Sequence, residues 1–369
     1  MTIVPDTIVN HVPEYCTLCG KSLDEKTAEL ESQRQVVDLP NIQAIWTEHR
    51  RYSKTCNCGH KTTTKFPKSV NAPVQYGPKI DSLICYLHAR QYLPYDRMQE
   101  LLKDSYGVKI SQGSIDNIIK RFAAKGTTVY NKIRTEIMSA QVVGSDETGI
   151  RIGGNKHWAW TWQNIENTLI SISRSRGIQA ITESVMNHLP KAIVCHDAWR
   201  AQFSIDCRDH QLCCAHLLRE LNYLNDLYKH SWSGKLQRIL HQALKLKKQM
   251  GPDDYDAENT QRNRIIFSYQ KLLNLAPDKK HKELYSFYKR IVRYKDHVFP
   301  FLYHQHVPPD NNASERAIRN IKVTQKISGQ FRSMKGAKNF AIIRSIIDTL
   351  NKRNLNVFQN LELIANFNT

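Results

Sequence analysis

Residues 141–149, Gln141-Val-Val-Gly-Ser-Asp146-Glu-Thr-Gly149, are where the chain changes period and where its fold is decided. The run reads as a strand ending in a glycine turn, after a long stretch of helical spacing. Lys156 to Gln163 then alternates cleanly, with Trp158, Trp160 and Trp162 on one face, and Leu169 to Ser173 is a third strand. Ile178 to Leu189 predicts a helix stopped by Pro190. Ala192-Ile-Val-Cys-His-Asp197 is apolar without interruption, as expected of a parallel strand covered on both faces, and His210 to Ala215 would be a short fifth strand. The chain is therefore expected to build a mixed sheet in which the first and fourth strands are neighbours.

Downstream of the sheet, 216–305 carries helical stripes such as Leu217, Leu218, Leu221 and Leu224, and reads as a helical insertion. Pro308 and Pro309 end it. The helix at 310–332 follows, with Asn311, Asn312 and Ser314 as candidate caps. On it Glu315, Arg319 and Lys322 fall at i, i+4 and i+7, so they share a face. Between 311 and 345 Glu315 is the one acid among Arg316, Arg319, Lys322, Lys326, Arg332, Lys335, Lys338 and Arg344. Phe340 to Leu350 and Val357 to Ile364 are two closing helices.

Upstream, Asp81 to Tyr92 and Asp96 to Lys103 are helical, Gly107 is a breaker, and Ser111 caps a third helix with Ile115, Ile118, Ile119 and Phe122 inward. Helix, glycine turn and capped helix is the outline of a helix-turn-helix, an outline also common in plain helical packing. Before these helices stand Cys16-Thr-Leu-Cys19 and Cys56-Asn-Cys58, with Gly20 and Gly59 just after. Two such pairs suit a tetrahedral Zn²⁺ site, with His60 competing as fourth ligand; the rival reading is a set of ordinary thiols. Nine cysteines without a signal-peptide pattern point to a reducing compartment. A formal charge of +19 points to a polyanionic partner, nucleic acid above all. No apolar run is long enough to span a membrane.

Asp146, Asp197 and Glu315 carry the chemistry. Three antiparallel strands followed by a crossover to a parallel fourth is the ribonuclease H-like order, in which Asp146 and Asp197 lie on adjacent strands. Two aspartates with a glutamate from a packed helix can hold two Mg²⁺ or Mn²⁺ ions. A pair of ions about 3.5–4 Å apart clamps the attacking and leaving oxygens of a phosphoryl transfer. Each acid also has a structural role open to it: Asp146 in a turn, Asp197 as a cap, Glu315 in a surface ion pair. Glu147 rivals Asp146, but strand alternation turns it to the opposite face.

The segments Ser-Asp146-Glu-Thr, Cys-His-Asp197-Ala-Trp, Cys-Ala-His216-Leu-Leu-Arg-Glu and Asp-Asn-Asn-Ala-Ser-Glu315-Arg-Ala-Ile-Arg resemble transposases of insertion-sequence family sixty-six, the TnpC type. The resemblance runs from the cysteine pairs to the tail. It implies a DDE site made of Asp146, Asp197 and Glu315, and a zinc domain matching Cys16, Cys19, Cys56 and Cys58. By the same analogy Lys322 meets a DNA phosphate, and Cys213 with His216 forms an element that handles bases beside the cut; His216 is equally well read as a packed residue. Trp199 is a core residue or a stacking platform. Many family members carry a coiled-coil arm ahead of the cysteines. Here fifteen residues precede Cys16, which speaks against assembly through such an arm.

The expected organisation is a zinc-binding module at 1–65, a helix-turn-helix-like DNA-binding region at 66–139, a catalytic domain at 140–345 with an insertion at about 217–305, and a helical tail at 346–369. The expected activity is metal-dependent cleavage and strand transfer at the ends of the chain's own mobile element. Its partners would be duplex DNA with terminal inverted repeats, target DNA and further copies of itself, in the cytoplasm beside the nucleoid. Arg316, Arg319 and Lys326 would contact phosphates. A nuclease that does not join ends, and a non-catalytic DNA-binding derivative, are the alternatives.

Overall fold

The first paired strands are β1 (Ser53–Thr55) and β2 (Lys61–Thr63), a short antiparallel hairpin. They belong to a computed structural model that describes residues 4–40 and 42–367. Three helices follow: α1 (Pro78–Ala89), α2 (Tyr95–Tyr106) and α3 (Gln112–Met138). Their ends obey local chemistry. Pro78 opens α1, where a missing N–H costs nothing, and Gly107 ends α2 in the left-handed region at φ 66°. Ser111 caps α3 by accepting from the Ser114 N–H. The stripe Ile115, Ile118, Ile119 and Phe122 is buried as expected.

The sheet contains β3 (Val142–Ile152), β4 (Asn155–Gln163), β5 (Thr168–Ser173), β6 (His188–His196) and β7 (Asp206–Leu212). Helix α4 (Ile178–Val185) links β5 to β6. The order is β5-β4-β3-β6-β7; β3, β4 and β5 are antiparallel, and β6 is parallel to both β3 and β7. First and fourth strands of this sheet are thus neighbours, as expected.

Three boundaries differ from the sequence reading. β3 does not turn at Gly149; it pairs with β4 as far as Ile152 and Asn155, and the turn is Gly153-Gly154, both at positive φ. Two left-handed glycines match the twist of a tight hairpin. Helix α4 stops at Val185 because Met186 (φ 55°) and Asn187 (φ 54°) turn left-handed. Leu189 and Pro190 therefore fall in β6, where a shift in register with β7 between Leu189 and Ile193 accommodates a residue without an N–H. The fifth strand lies earlier than 210–215, because Cys214 already begins the next helix.

That helix, α5 (Cys214–Tyr228), leads into α6 (Ser231–Gln249), α7 (Thr260–Leu273) and α8 (Lys282–Arg293). They surround their own core, with Leu221, Leu240, Leu284 and Phe287, which the sheet joins through Cys195 and Leu212. The chain returns through α9 (Asn312–Ser328), α10 (Met334–Lys352) and α11 (Val357–Ala365). α3 and α10 cover the β5 edge. Ser345 Oγ and Thr349 Oγ1 of α10 accept from the β5 N–H groups of Ile170 and Thr168, while Tyr130 of α3 donates to the Ile170 carbonyl. The open edge that would otherwise invite another chain is closed by side chains.

Arg344, which the sequence places in a basic field, is fully buried. It donates to Asp348, the Ala89 carbonyl and the Tyr92 hydroxyl, tying α10 to α1. Among the described residues no helix is long and apolar enough to cross a membrane.

Candidate active site

Strand register sets the first two acids side by side. β3 pairs with β6 as Val142 with Ile193, Val143 with Val194 and Gly144 with Cys195. Continued two residues, that register brings Asp146 level with Asp197, on strands spaced about 4.8 Å apart. Asp197 stands one residue past the end of β6, where Ala198 adopts φ 71°. A non-glycine residue held left-handed stores strain of about 1–3 kcal/mol, a feature that clusters at working sites. Asp197 Oδ1 accepts from the Trp199 N–H at 3.3 Å, and Trp199 Nε1 donates to the Arg176 carbonyl at 3.1 Å. Instead of capping a helix at Ala198, Asp197 is presented by a braced turn.

The third acid arrives by helix docking. Gly144, two residues before Asp146 on the same strand face, has no room for a side chain. A Cβ there would stand 2.5 Å from Ser314 Oγ and 2.7 Å from Asn311 Oδ1. The N-terminus of α9 rests in that gap. Asn311 is 2% exposed and does not cap its own helix. Its Nδ2 donates to the Ser145 carbonyl at 2.6 Å, and its Oδ1 accepts from the Ser314 hydroxyl at 2.6 Å. Further along α9, Lys322 Nζ donates to the Gly149 carbonyl at 2.7 Å. Two polar clamps thus lay the helix along β3, with Glu315 between them.

Electrostatics record the crowding. Burial, then the carboxylates of Glu147, Asp197 and Glu315, push Asp146 up to about 7. Glu147, expected on the opposite face, still feels Asp197 and is the largest charge acting on Asp146. Arg176 grips its Oε1 through Nε at 2.9 Å and Nη2 at 2.8 Å, and lies 3.7 Å from the centre of the Trp199 ring. Burial and Asp197 still push Glu147 to about 7 against that pull. Glu315 faces Arg319 Nη2 at 3.2 Å, His216 Nδ1 at 3.7 Å and Arg219 Nη2 at 4.0 Å. Its Oε1 and His216 Nδ1 are both buried without a hydrogen bond.

Among the described residues no three His, Cys, Asp or Glu side chains converge closely enough to ligate one ion. The donor set nevertheless fits a hard divalent cation: acids of like charge crowd Asp146, and a buried carboxylate oxygen of Glu315 has no donor.

Of the residues expected to meet DNA, Arg316, Arg319, Lys322 and Lys326 are exposed on α9, while His216 is half-buried against Glu315. The cysteines expected to bind zinc lie in two knuckles. Backbone N–H groups of Cys19 and Leu18 hold the Cys16 thiol below its ordinary range, and the N–H of Cys58 does the same for Cys56. Gly20 (φ 69°) and Gly59 (φ 85°) close the two knuckles. N–H groups aimed at sulfur favour thiolate, the form that binds Zn²⁺. The two pairs do not converge on one point, and His60 is exposed beside the second.

Sequence reasoning missed Gly144, Arg176 and Arg219. A glycine inside a strand two residues before an acid, on the same face, is a legible sign of close backbone approach. Arg176 and Arg219 carried no signal that distinguishes them from other surface cations.

A model of the Transposase IS66 family matches residues 73–339. A second, the zinc-finger binding domain of transposase IS66, matches residues 13–59. No curated protein matches the chain.

Proposed function

The chain belongs to the IS66 transposase family, whose model spans most of its length, and from that premise we propose that it is a DDE transposase cutting and joining the ends of its own mobile element. The observation that supports the proposal is the β3–β6 pairing, whose register if continued brings Asp146 level with Asp197, with the α9 N-terminus, which bears Glu315, seated on Gly144. Asp146, Asp197 and Glu315 would hold two Mg²⁺ or Mn²⁺ ions, which when bound supply the positive charge that a phosphoryl transfer between a hydroxyl and a DNA phosphate requires. Asn311 and Lys322 fix α9 along β3. Arg319 and Arg219, both largely exposed beside Glu315, are placed to receive phosphate oxygens. His216 and Trp199 border the site.

The sheet order favours a ribonuclease H-like catalytic domain at 140–345 carrying the α5–α8 insertion at about 217–305. On this reading 1–65 is a module ordered by Zn²⁺ on Cys16, Cys19, Cys56 and Cys58, 66–139 contacts the terminal inverted repeats, and 346–369 is a helical tail. The enzyme works as a multimer on DNA in the cytoplasm. α3 gives much of its length to packing against α10 and the sheet, so repeat contacts would come from its exposed first turn.

The test uses purified full-length chain, Mg²⁺ or Mn²⁺, and duplexes carrying the flanks of its own gene. Expected are nicks that expose a 3′ hydroxyl, joined products with target DNA, and loss of both in Asp197→Asn with DNA affinity retained. Cleavage that persists in Asp197→Asn refutes the site. Cleavage without any joined product makes the protein a nuclease instead.

A further inference from the structure

Beyond the carboxylates, two segments far apart in sequence are welded into one basic surface. The tip of the β3–β4 hairpin and the loop after α9 share a short parallel bridge at Ile152 and Phe331. The Phe331 N–H donates to the Arg151 carbonyl at 3.1 Å, and the Gly153 N–H donates to the Phe331 carbonyl at 2.9 Å. Gln330 Oε1 accepts from the Gly154 N–H at 2.7 Å. With Lys322 bound to Gly149, hydrogen bonds join the hairpin, α9 and the loop at 329–333.

Every titratable residue they contribute, histidine aside, is a cation. From 148 to 165 and from 316 to 347 the sequence contains no Asp or Glu. Arg151, Lys156, Lys322, Lys326, Arg332 and Lys335 are all exposed. None of the six has a carboxylate within ion-pair distance among the described residues. Asp116 of α3, which like Arg332 acts on Tyr95, is already paired with Lys120. A surface of unneutralised charge fastened to a rigid sheet raises the energy of the free protein through self-repulsion, which a polyanion relieves.

We infer that this hairpin–loop surface is a docking site for the sugar–phosphate backbone of duplex DNA, on the flank of the DNA held at the carboxylates. The inference rests on the reading of the protein as an enzyme of DNA. Spacing supports it: six strand residues separate Asp146 from Ile152, about 20 Å at 3.3 Å per residue. Eleven helical residues separate Glu315 from Lys326, about 16 Å. Phosphates along one DNA strand repeat every 3.4 Å or so, and the surface therefore meets phosphates about five or six base pairs from the one at the acids. The Gly153-Gly154 tip carries no side chain to hold a backbone away. Contacts of this kind position a duplex without reading its sequence.

The experiment measures binding of the full-length Asp146→Asn chain to a random-sequence 30-base-pair duplex by fluorescence anisotropy between 50 and 300 mM KCl. The carboxylate is removed so that the probe is held and not cut. Each phosphate that the protein no longer neutralises lowers the slope of log affinity against log salt by about 0.9. Arg151→Glu with Lys156→Glu should lower it by about two, and Arg332→Glu with Lys335→Glu by about two more. The matching pairs of substitutions to Gln give the same reading should a charge reversal impair folding, which circular dichroism reports. A slope unchanged by both pairs overturns the inference, and so does a loss confined to single-stranded probe. Binding is read without cleavage, so failure of the cutting assay and failure of this surface are separate results.

Discussion

Gly144→Ala is the sharpest test of how the three acids are brought together. Gly144 does not need left-handed backbone, so alanine meets no conformational penalty there. If space were open, the substitution would stabilise the fold by about 0.4–1 kcal/mol through a stiffer unfolded chain. The structure says otherwise. A Cβ would lie 2.5 Å from Gln163 Nε2 and from Ser314 Oγ, where ordinary contact begins at 3.4 Å, a shortfall of about 0.9 Å. Both obstacles are pinned: Ser314 Oγ is hydrogen-bonded to Asn311, and Gln163 Oε1 accepts from Lys352. The yielding part is the α9 N-terminus, which would lift by close to 1 Å and carry Glu315 with it. Overpacking of this kind costs about 1–3 kcal/mol. A 1 Å displacement of a working group costs about 10²-fold in rate. Melting temperature and the metal-dependent nicking rate are measured together. A stabilised protein, or one that cuts at the normal rate, refutes the docking of α9 on Gly144 as the device that places Glu315.

Asn311→Ala removes the donor to the Ser145 carbonyl and the acceptor for Ser314; it should destabilise by about 1–3 kcal/mol and slow cutting beyond what a smaller folded fraction explains, and Asn311→Asp, which keeps the acceptor but sets a buried carboxylate against the Ser145 carbonyl, should restore neither. Arg344→Met leaves Asp348 with only Arg90, 4.0 Å away, and should lower stability by about 3–5 kcal/mol in chemical denaturation, whereas Arg344→Met with Asp348→Leu should recover most of the loss. Burial, with the His297 charge, lowers His210 to about 4, and burial also holds His196 well below its ordinary range. The unfolded chain binds these protons near pH 6.5 and the folded chain does not, so stability present above pH 6.5 is lost as pH falls toward 4, and His210→Gln should flatten the melting curve against pH in that window. Elemental analysis should find one zinc per chain, lost in Cys16→Ser with Cys56→Ser; zinc retained in that double variant would refute the four-cysteine assignment.

What was legible in the sequence follows from which forces are local. Alternation at Lys156–Gln163 and the apolar run into Asp197 announce their strands by residue type, although β4 is buried on both faces from Ala159 to Gln163. Ser111 and Gly107 announce helix ends because a cap acts within four residues. Where a boundary depended on tertiary pairing, the pattern misled. Gly149 looked like a turn and is held in β3 by the facing Trp158 and by the Lys322 ammonium on its carbonyl. Asn311 looked like a cap, and its side chain serves a strand far away in the chain. Arg344 looked like a surface charge, because nothing in an Arg-x-x-x-Asp spacing tells whether the pair faces water or the interior. The candidate acids could be chosen from sequence, but the register that sets 146 against 197 and the gap at 144 that admits α9 are long-range facts.

Glu315 shows why a basic helix can serve an acidic site. Its present neighbours are Arg319, 70% exposed, at 3.2 Å and, farther off, the Arg219 guanidinium and the His216 ring. Arg319 is largely exposed but the Glu315 side chain is only 15% exposed, so Glu315 would give up Arg319 only where another cation replaces it, and the carboxylates crowding Asp146 call for positive charge as well. On the proposed reading the two needs are met by one exchange. Were divalent cations held there, Glu315 would be the carboxylate that joins Asp146 and Asp197 in holding them, and Arg319, one helical turn along α9, would be free to receive a phosphate oxygen. The clamps at Asn311 and Lys322 hold the helix still while side chains alone change partners, which is the arrangement expected where chemistry must wait for DNA to be seated.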